Sequence, residues 1–267
     1  MQLTLLWQGQ TYQVSPTAID LAIGLDFDGP QPSTYGVPPA WRAAFEGGGV
    51  IGDVRQGGSV NFETYHLTPH CNGTHTECVG HLTQQRLALH QLLPESWLMA
   101  TLCTIMPVMA STTADTYDPP LVPDDQVITQ QALMTACPQG LSTSALVLRT
   151  LPNLPDKRSR DYAQVAPAFF TLEAMQWLRD QGIRHLLVDL PSVDRLHDEG
   201  KLRNHRIFWG LAPGEQEVDP TDPPLGTITE MIYVPNDVSD GQYLLELQVA
   251  PFLSDAAPSR PRLFAMA

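Results

Sequence analysis

Proline sets the tightest limit on what this chain can build: 24 prolines fall among 267 residues, many of them in DPPLVP, LPNLP, VDPTDPP and APSRPR. Proline lacks a backbone donor and interrupts helix interiors and central strands alike. Short, numerous elements are therefore expected, with proline-rich turns between them and neither a separable linker nor an internal repeat. Residues 3 to 14 alternate apolar and polar around Gly9, which suits a hairpin of two strands. The stretch DFDGPQPSTYGVPP, from Asp26 to Pro39, is too rich in Gly and Pro for a helix or central strand and reads as a long loop of the kind that often carries function. ALVLR (145–149) and IRHLLVDL (183–190) have the length and branching of buried strands, and further strand-like runs occupy 227–234 and 242–250. A helix is expected over 171–181, with Thr171 as N-cap, Glu173 in the first turn, Leu172, Met175 and Leu178 on one face and Gly182 as terminator. Strands and helices thus mix along the chain, which favours an α/β class.

The length fits one domain over residues 1–267. Hydrophobic residues make up 43% and charged ones only 16%, so burial can offset the entropy of ordering the chain. A net charge of -14 repels phosphate backbones and anionic lipid, which argues against nucleic-acid and membrane partners and for small molecules. No apolar run approaches the roughly 20 residues of a membrane span, and the start MQLTLLWQGQTYQVSP lacks the features of a signal peptide, so a cytoplasmic location is expected. The cysteines (Cys71, Cys78, Cys103, Cys137) show no paired framework and read as thiols, with Cys71 a candidate ligand.

Four of the eight histidines, His66, His70, His75 and His81, fall within sixteen residues, beside Cys71, Glu77 and Cys78. HCNGTHTECVGH offers imidazole, thiolate and carboxylate, the ligands that zinc and related ions prefer. In an extended chain Cys71, His75, Glu77 and His81 share one face and His70 faces away. His75 and Glu77 would lie about 6.6 Å apart, within reach of one ion, but Cys71 and His81 would be about 33 Å apart. The chain must bend, and Asn72-Gly73 and Gly80 are where bending costs least. Cys78 has the wrong parity and reads as a small buried thiol. His66, His90, His185 and His197 lack partners at ligand spacing and read as structural or surface residues.

NGTHTECVGH resembles the H-x-G-T-H-x-D-x-P-x-H signature of the cyclase family of metal-dependent hydrolases, which includes kynurenine formamidase and isatin hydrolase. WLRDQGIRHLLVDLPSVD resembles that family's helix followed by a G-[IV]-D-x-P-S-V-D strand end. NHRIFWG, ITEMIYVPNDVSDGQYLLELQVAPF, SRPRL and the opening IDLAIGLDF also match its blocks, in the same order. The resemblance implies a single α/β domain with a mixed, partly barrel-like sheet flanked by helices, of the swivelling β/β/α kind. It implies His75, Glu77, His205 and Glu230 as metal ligands, His81 as general acid/base, and one or two Zn2+ ions per chain with Mn2+ as the alternative. It further implies a small-molecule amide as substrate and a homodimer or larger homo-oligomer.

The departures are specific. Cys71 stands at the family's first histidine ligand, with His70 one place earlier; parity favours Cys71, whereas a bulge before Gly73 would turn His70 inward. Glu77 replaces the signature Asp, and Val79 the signature Pro. The gap from His205 to Glu230 carries an insertion around GEQEVDPTDPP. Asp189, Ser192 and Asp194, after a buried strand, are candidates for substrate or ligand support, though Asp and Ser after Pro also serve as turn residues. The expected activity is hydrolysis of a C-N amide bond. Ring opening of a lactam, a dehydrating cyclisation, or a degenerate metal-binding protein without turnover are the competing readings.

Overall fold

The computed structural model describes residues 3–137, 141 and 143–267. Ten strands form one open mixed sheet: β1 (Leu3–Trp7), β2 (Gln10–Asp20), β3 (His75–Glu77), β4 (Trp97–Ile105), β5 (Ala145–Thr150), β6 (His185–Val188), β7 (Thr227–Glu230), β8 (Gly241–Glu246), β9 (Ala256–Pro258) and β10 (Arg262–Met266). Their order is β1-β2-β10-β8-β4-β5-β6-β7-β3-β9. The middle four, β4 to β7, run parallel, and antiparallel strands extend the sheet on both sides. This is the expected α/β class with a mixed sheet. The sheet does not close into a barrel, because β1 and β9 end the order as separate edges.

The parallel centre is covered on both faces, which is why its strands read as continuous apolar runs. Alternate residues point opposite ways. Leu146, Leu148, Leu186, Val188 and Ile228 pack with Met175, Leu178 and Phe208 on the helical side. Ala145, Val147 and Leu187 pack on the other side with Leu102, Tyr243 and Leu245.

The hairpin over residues 3–14 forms as expected, with Gln8 (φ 49°) and Gly9 (φ 79°) both left-handed at its tip, the conformation a two-residue turn needs to match strand twist. Helices are few and short: α1 (Leu89–Leu92), α2 (Gln130–Ala136), α3 (Leu172–Asp180) and α4 (Arg203–Trp209). The anticipated helix is α3. The Thr171 hydroxyl accepts from the Ala174 N–H at 3.2 Å, and Gly182 follows at φ 76°. The strand expected over 227–234 stops at Glu230 because Met231 turns to φ 53° and donates its N–H to Leu190 O at 2.9 Å, outside the ladder. Residues 26–39 are an ordered loop. Gln31 clamps Ala40 through both amide atoms, at 2.8 and 2.9 Å, and Ser33 pairs with the backbone of Arg160 and Tyr162 at 3.0 and 2.9 Å.

The expectation of four thiols holds for Cys71 and Cys78 and is corrected for the others. Cys103 on β4 and Cys137 after α2 form a disulfide, with Cα atoms 6.4 Å apart, inside the range a disulfide spans. Among the described residues no helix is long and apolar enough to cross a membrane.

His185, on β6, is 2% exposed and is a structural residue, as its sequence context suggested. Burial, with Arg184 nearby, pushes its imidazole down to about 4. The unfolded chain therefore takes up a proton near pH 6.5 that the folded chain refuses until about pH 4, so stability falls as pH drops through this window. The loss between pH 7 and pH 5 is expected to be about 2 kcal/mol. Urea unfolding at both pH values should show that difference shrinking by about this amount in His185→Gln. An unchanged pH difference in the variant would exclude the residue as the source.

Candidate metal centre

The short strand β3 carries His75 and Glu77 on one face, as their spacing requires. It pairs antiparallel with β7 so that His75 lies directly opposite Glu230 and Glu77 opposite Ile228. Three ligand-type side chains on two strands thus share one patch. His75 Nε2 and Glu230 Oε2 are 3.5 Å apart.

A fourth group arrives from α4. Leu202, at the head of this helix, offers no side-chain cap. The carboxylate of Asp194 serves instead, accepting the N–H groups of Asn204 (2.7 Å) and His205 (3.2 Å). The same carboxylate accepts the His205 Nδ1 proton at 2.6 Å and the Tyr117 hydroxyl at 2.7 Å. It therefore starts the helix and fixes the ring's orientation together, as carboxylate partners of metal-binding histidines do. His205 Nε2 is left facing Glu77 Oε1 at 2.8 Å and Glu230 Oε1 at 3.7 Å. His75 is set in the same manner, since its Nδ1 donates to Gly73 O at 2.9 Å and its Nε2 is turned inward.

The chain bends at Asn72-Gly73 as anticipated, with Gly73 at φ 144°. Gly80 serves a different end, because a Cβ there would meet Leu87 O at 2.5 Å. His81 sits in the tight turn Val79–Leu82, its Nδ1 3.8 Å from Glu77 Oε2. The extended geometry behind the parity argument does not reach residue 71. The N–H groups of Cys71 and Asn72 both donate to Thr68 O, at 2.9 and 3.0 Å, so this part is a turn and alternation stops at His75. In consequence His70 also faces inward, with Nδ1 3.0 Å from Glu77 Oε2. Cys71 lines the same cavity as a free thiol, pushed up to about 11 by burial and by Glu230.

These donors form two overlapping groups, His70, Glu77 and His81, and Glu77, His205 and Glu230, each with its ligand atoms within 4.8 Å of one another. Glu77 belongs to both. Burial alone would raise its carboxyl, but the imidazoles of His81 and His205 outweigh burial and hold it well below the usual carboxylate range. His205 is buried too, yet Glu77 and Asp194 together push it well above an ordinary imidazole. Both Glu77 oxygens and His75 Nε2 are buried without a directed hydrogen bond. A buried polar atom left this way is costly, and divalent cations bound in this cluster would satisfy such atoms. The donor set of imidazole nitrogens and carboxylate oxygens suits such an ion.

The cluster opens into a cavity of about 750 Å³, whose wall includes Tyr35, Pro191, Ser192, His197, Asp198 and Glu199. Ser192 thus reaches the cavity, and Asp194 stands behind His205. Asp189 does not join them: it is 1% exposed and bound to Thr150 and Lys157. Tyr35, His197 and Asp255 are among the residues that were not anticipated. Tyr35 comes from the proline-rich loop, and His197 from the segment after Asp194. Asp255, just before β9, accepts from His70 Nε2 at 2.9 Å and lies 3.5 Å from His81 Nδ1. The position of Tyr35 on a long ordered loop was the only sequence signal among them.

Known structures share the fold of this chain. No curated protein matches the chain. In structure it is similar to a predicted metal-dependent hydrolase from Bacillus stearothermophilus, with 17% identity, a TM-score of 0.59, and coverage of 93% of this chain and 98% of that one. It is also similar to isatin hydrolase A from Labrenzia aggregata, at 14% identity and a TM-score of 0.61 over 93% of each chain. Isatin hydrolase A from Ralstonia solanacearum gives 13% identity and the same TM-score, over 93% of this chain and 92% of that one. At these identities the likeness is one of fold. The cyclase family model matches residues 15–195, which take in His70 through His81 and the Ser192–Asp194 turn and stop short of His205 and Glu230. With about two thirds of its length so matched, the chain belongs to the cyclase family.

Proposed function

We propose that this protein is a metal-dependent hydrolase that cleaves a C-N amide bond of a small molecule, using one or two Zn2+ ions, with Mn2+ as the alternative. The observation that carries the proposal is the convergence of Glu77, His205 and Glu230, with His75 Nε2 3.5 Å from Glu230 and buried donor atoms unsatisfied by the protein, in the wall of a cavity that also holds His81. A divalent ion bound there would supply Lewis-acid activation of water and of an amide carbonyl. His75 and His205, each with a hydrogen bond at Nδ1 that leaves Nε2 turned inward, would hold it, and Glu77 and Glu230 would balance its charge. His81 lines the cavity beside Glu77 and is part-exposed, so its ring can take the proton of attacking water and pass it to the leaving nitrogen.

The cavity has the size of small-molecule sites. No Lys or Arg is among the described residues that line it, which supports an uncharged amide over an anionic substrate. The names of the isatin hydrolases that share the fold support a second reading, ring opening of a lactam at the same centre. A cytoplasmic location and a homo-oligomeric assembly belong to the same proposal. His81→Ala should retain metal and lose about 10²- to 10⁴-fold in turnover, measured on a panel of formamides, cyclic imides and lactams. A His81→Ala variant with wild-type turnover would remove this residue from the mechanism.

A further inference from the structure

His205 and His70 approach Glu77 from opposite sides in the same way. His205 gives its Nδ1 proton to the Asp194 carboxylate at 2.6 Å and turns Nε2 toward Glu77 Oε1 at 2.8 Å. His70 places Nε2 against the Asp255 carboxylate at 2.9 Å and turns Nδ1 toward Glu77 Oε2 at 3.0 Å. Neither approach to Glu77 is directed as a hydrogen bond, since both carboxylate oxygens are buried without a partner. A ring whose one nitrogen donates to a carboxylate offers the lone pair of the other. An ion that displaces the second ring proton would therefore meet the Nδ1 lone pair of His70 beside Oε2, as it would meet Nε2 of His205 beside Oε1.

We infer that Asp255 is a positioning residue that makes His70, and not Cys71, the ligand on the Oε2 side of Glu77. This rests on the metal-dependent reading proposed above. Asp255 is well placed for the task. Its main-chain carbonyl accepts the Cys78 N–H at 3.0 Å, which anchors it beside the end of β3, one residue past Glu77. The Cys71 thiol is absent from both convergent donor groups, whereas His70 belongs to one of them. The turn at Thr68, where the N–H groups of Cys71 and Asn72 share one carbonyl, is what brings His70 round to Glu77. The histidine displaced by one position in the sequence is thus returned to the centre by the turn, and Asp255 holds it there.

The test is Zn2+ affinity of the full-length protein, read by competition with a chelating dye, in Asp255→Ala, Asp255→Asn, His70→Ala and Cys71→Ser, with thermal unfolding to verify folding. Loss of a partner that orients a ligand costs about 10- to 100-fold in metal affinity. Asp255→Ala should weaken one ion by that much, and His70→Ala by at least as much. Asp255→Asn, which keeps an acceptor oxygen, should recover most of the loss, an outcome that a general folding defect would not give. Cys71→Ser should bind as wild type does, and the Co2+-loaded protein should show no thiolate-to-metal charge-transfer absorption. A charge-transfer band that disappears in Cys71→Ser, or wild-type affinity in Asp255→Ala, would overturn the inference. Wild-type protein that takes up no Zn2+ or Co2+ would instead overturn the hydrolase reading beneath it.

Discussion

Glu77→Gln is expected to lose bound metal and to lower hydrolysis by about 10³-fold or more. Glu77 is the one residue common to both donor groups, so its replacement affects the whole centre. The amide keeps the shape of the side chain but removes the negative charge, and it turns an NH2 group toward either His205 or His70, whose nitrogens now approach the two oxygens at 2.8 and 3.0 Å. Lewis-acid activation supplies several kcal/mol of transition-state stabilisation, and each 1.4 kcal/mol or so is a factor of ten in rate. Metal content by elemental analysis and turnover on the amide panel should therefore fall together. A folded Glu77→Gln protein that keeps full metal content and rate would show that the two groups are not one centre.

Lys157→Met is expected to be the most destabilising single change outside the centre, by about 3–5 kcal/mol. Lys157 is 4% exposed, and its ammonium donates to Thr150 O (2.7 Å), Thr150 Oγ1 (2.9 Å) and Asp189 Oδ2 (2.7 Å). All three protons are used. Burial pushes the Asp189 carboxyl up and Lys157 opposes it, so removing the lysine leaves a buried acid without its counter-charge. Asp189 follows β6 and leads into the turn that carries Ser192 and Asp194, so the damage should reach the support of His205. At roughly 2–4 °C per kcal/mol for a chain of this size, the melting temperature should drop by about 10 °C. Lys157→Met combined with Asp189→Leu should recover part of it, because a buried pair replaced by apolar groups costs far less than a broken one. A drop of under about 2 °C in the single variant would show that the pair matters little.

Where local rules decide the structure, the sequence was readable. Gly9 placed the hairpin, Thr171 and Gly182 bounded α3, and the two-residue period put His75 and Glu77 on one face of β3. Residues whose roles depend on distant parts of the chain were not visible. Asp255 reaches His70 only because β9 pairs with β3, and nothing near Asp255 in sequence signals that neighbour. Asp194 was recognisable as a candidate, but not as the group that both caps α4 and orients His205. Period-two reasoning failed at His70, which faces inward beside Cys71, because the backbone turns at Thr68, upstream of the Asn72-Gly73 bend. Cys103 and Cys137 lie 34 residues apart, a spacing that says nothing of how closely α2 packs against β4. The family resemblance supplied His205 and Glu230, which local pattern alone could not have joined to the histidine cluster.

Whether a bound divalent ion performs the chemistry is the central question for this protein. The most direct measurement takes protein purified without chelator, determines its metal content, strips it, and restores Zn2+ or Mn2+ in steps while following hydrolysis of formamides, cyclic imides and lactams together with thermal stability. One or two ions per chain are predicted, with activity lost on stripping, regained in proportion to the ion restored, and accompanied by a rise in melting temperature as the folded state alone binds the ion. Protein that holds well under one ion per chain, and gains neither activity nor stability when metal is added, would contradict the central claim.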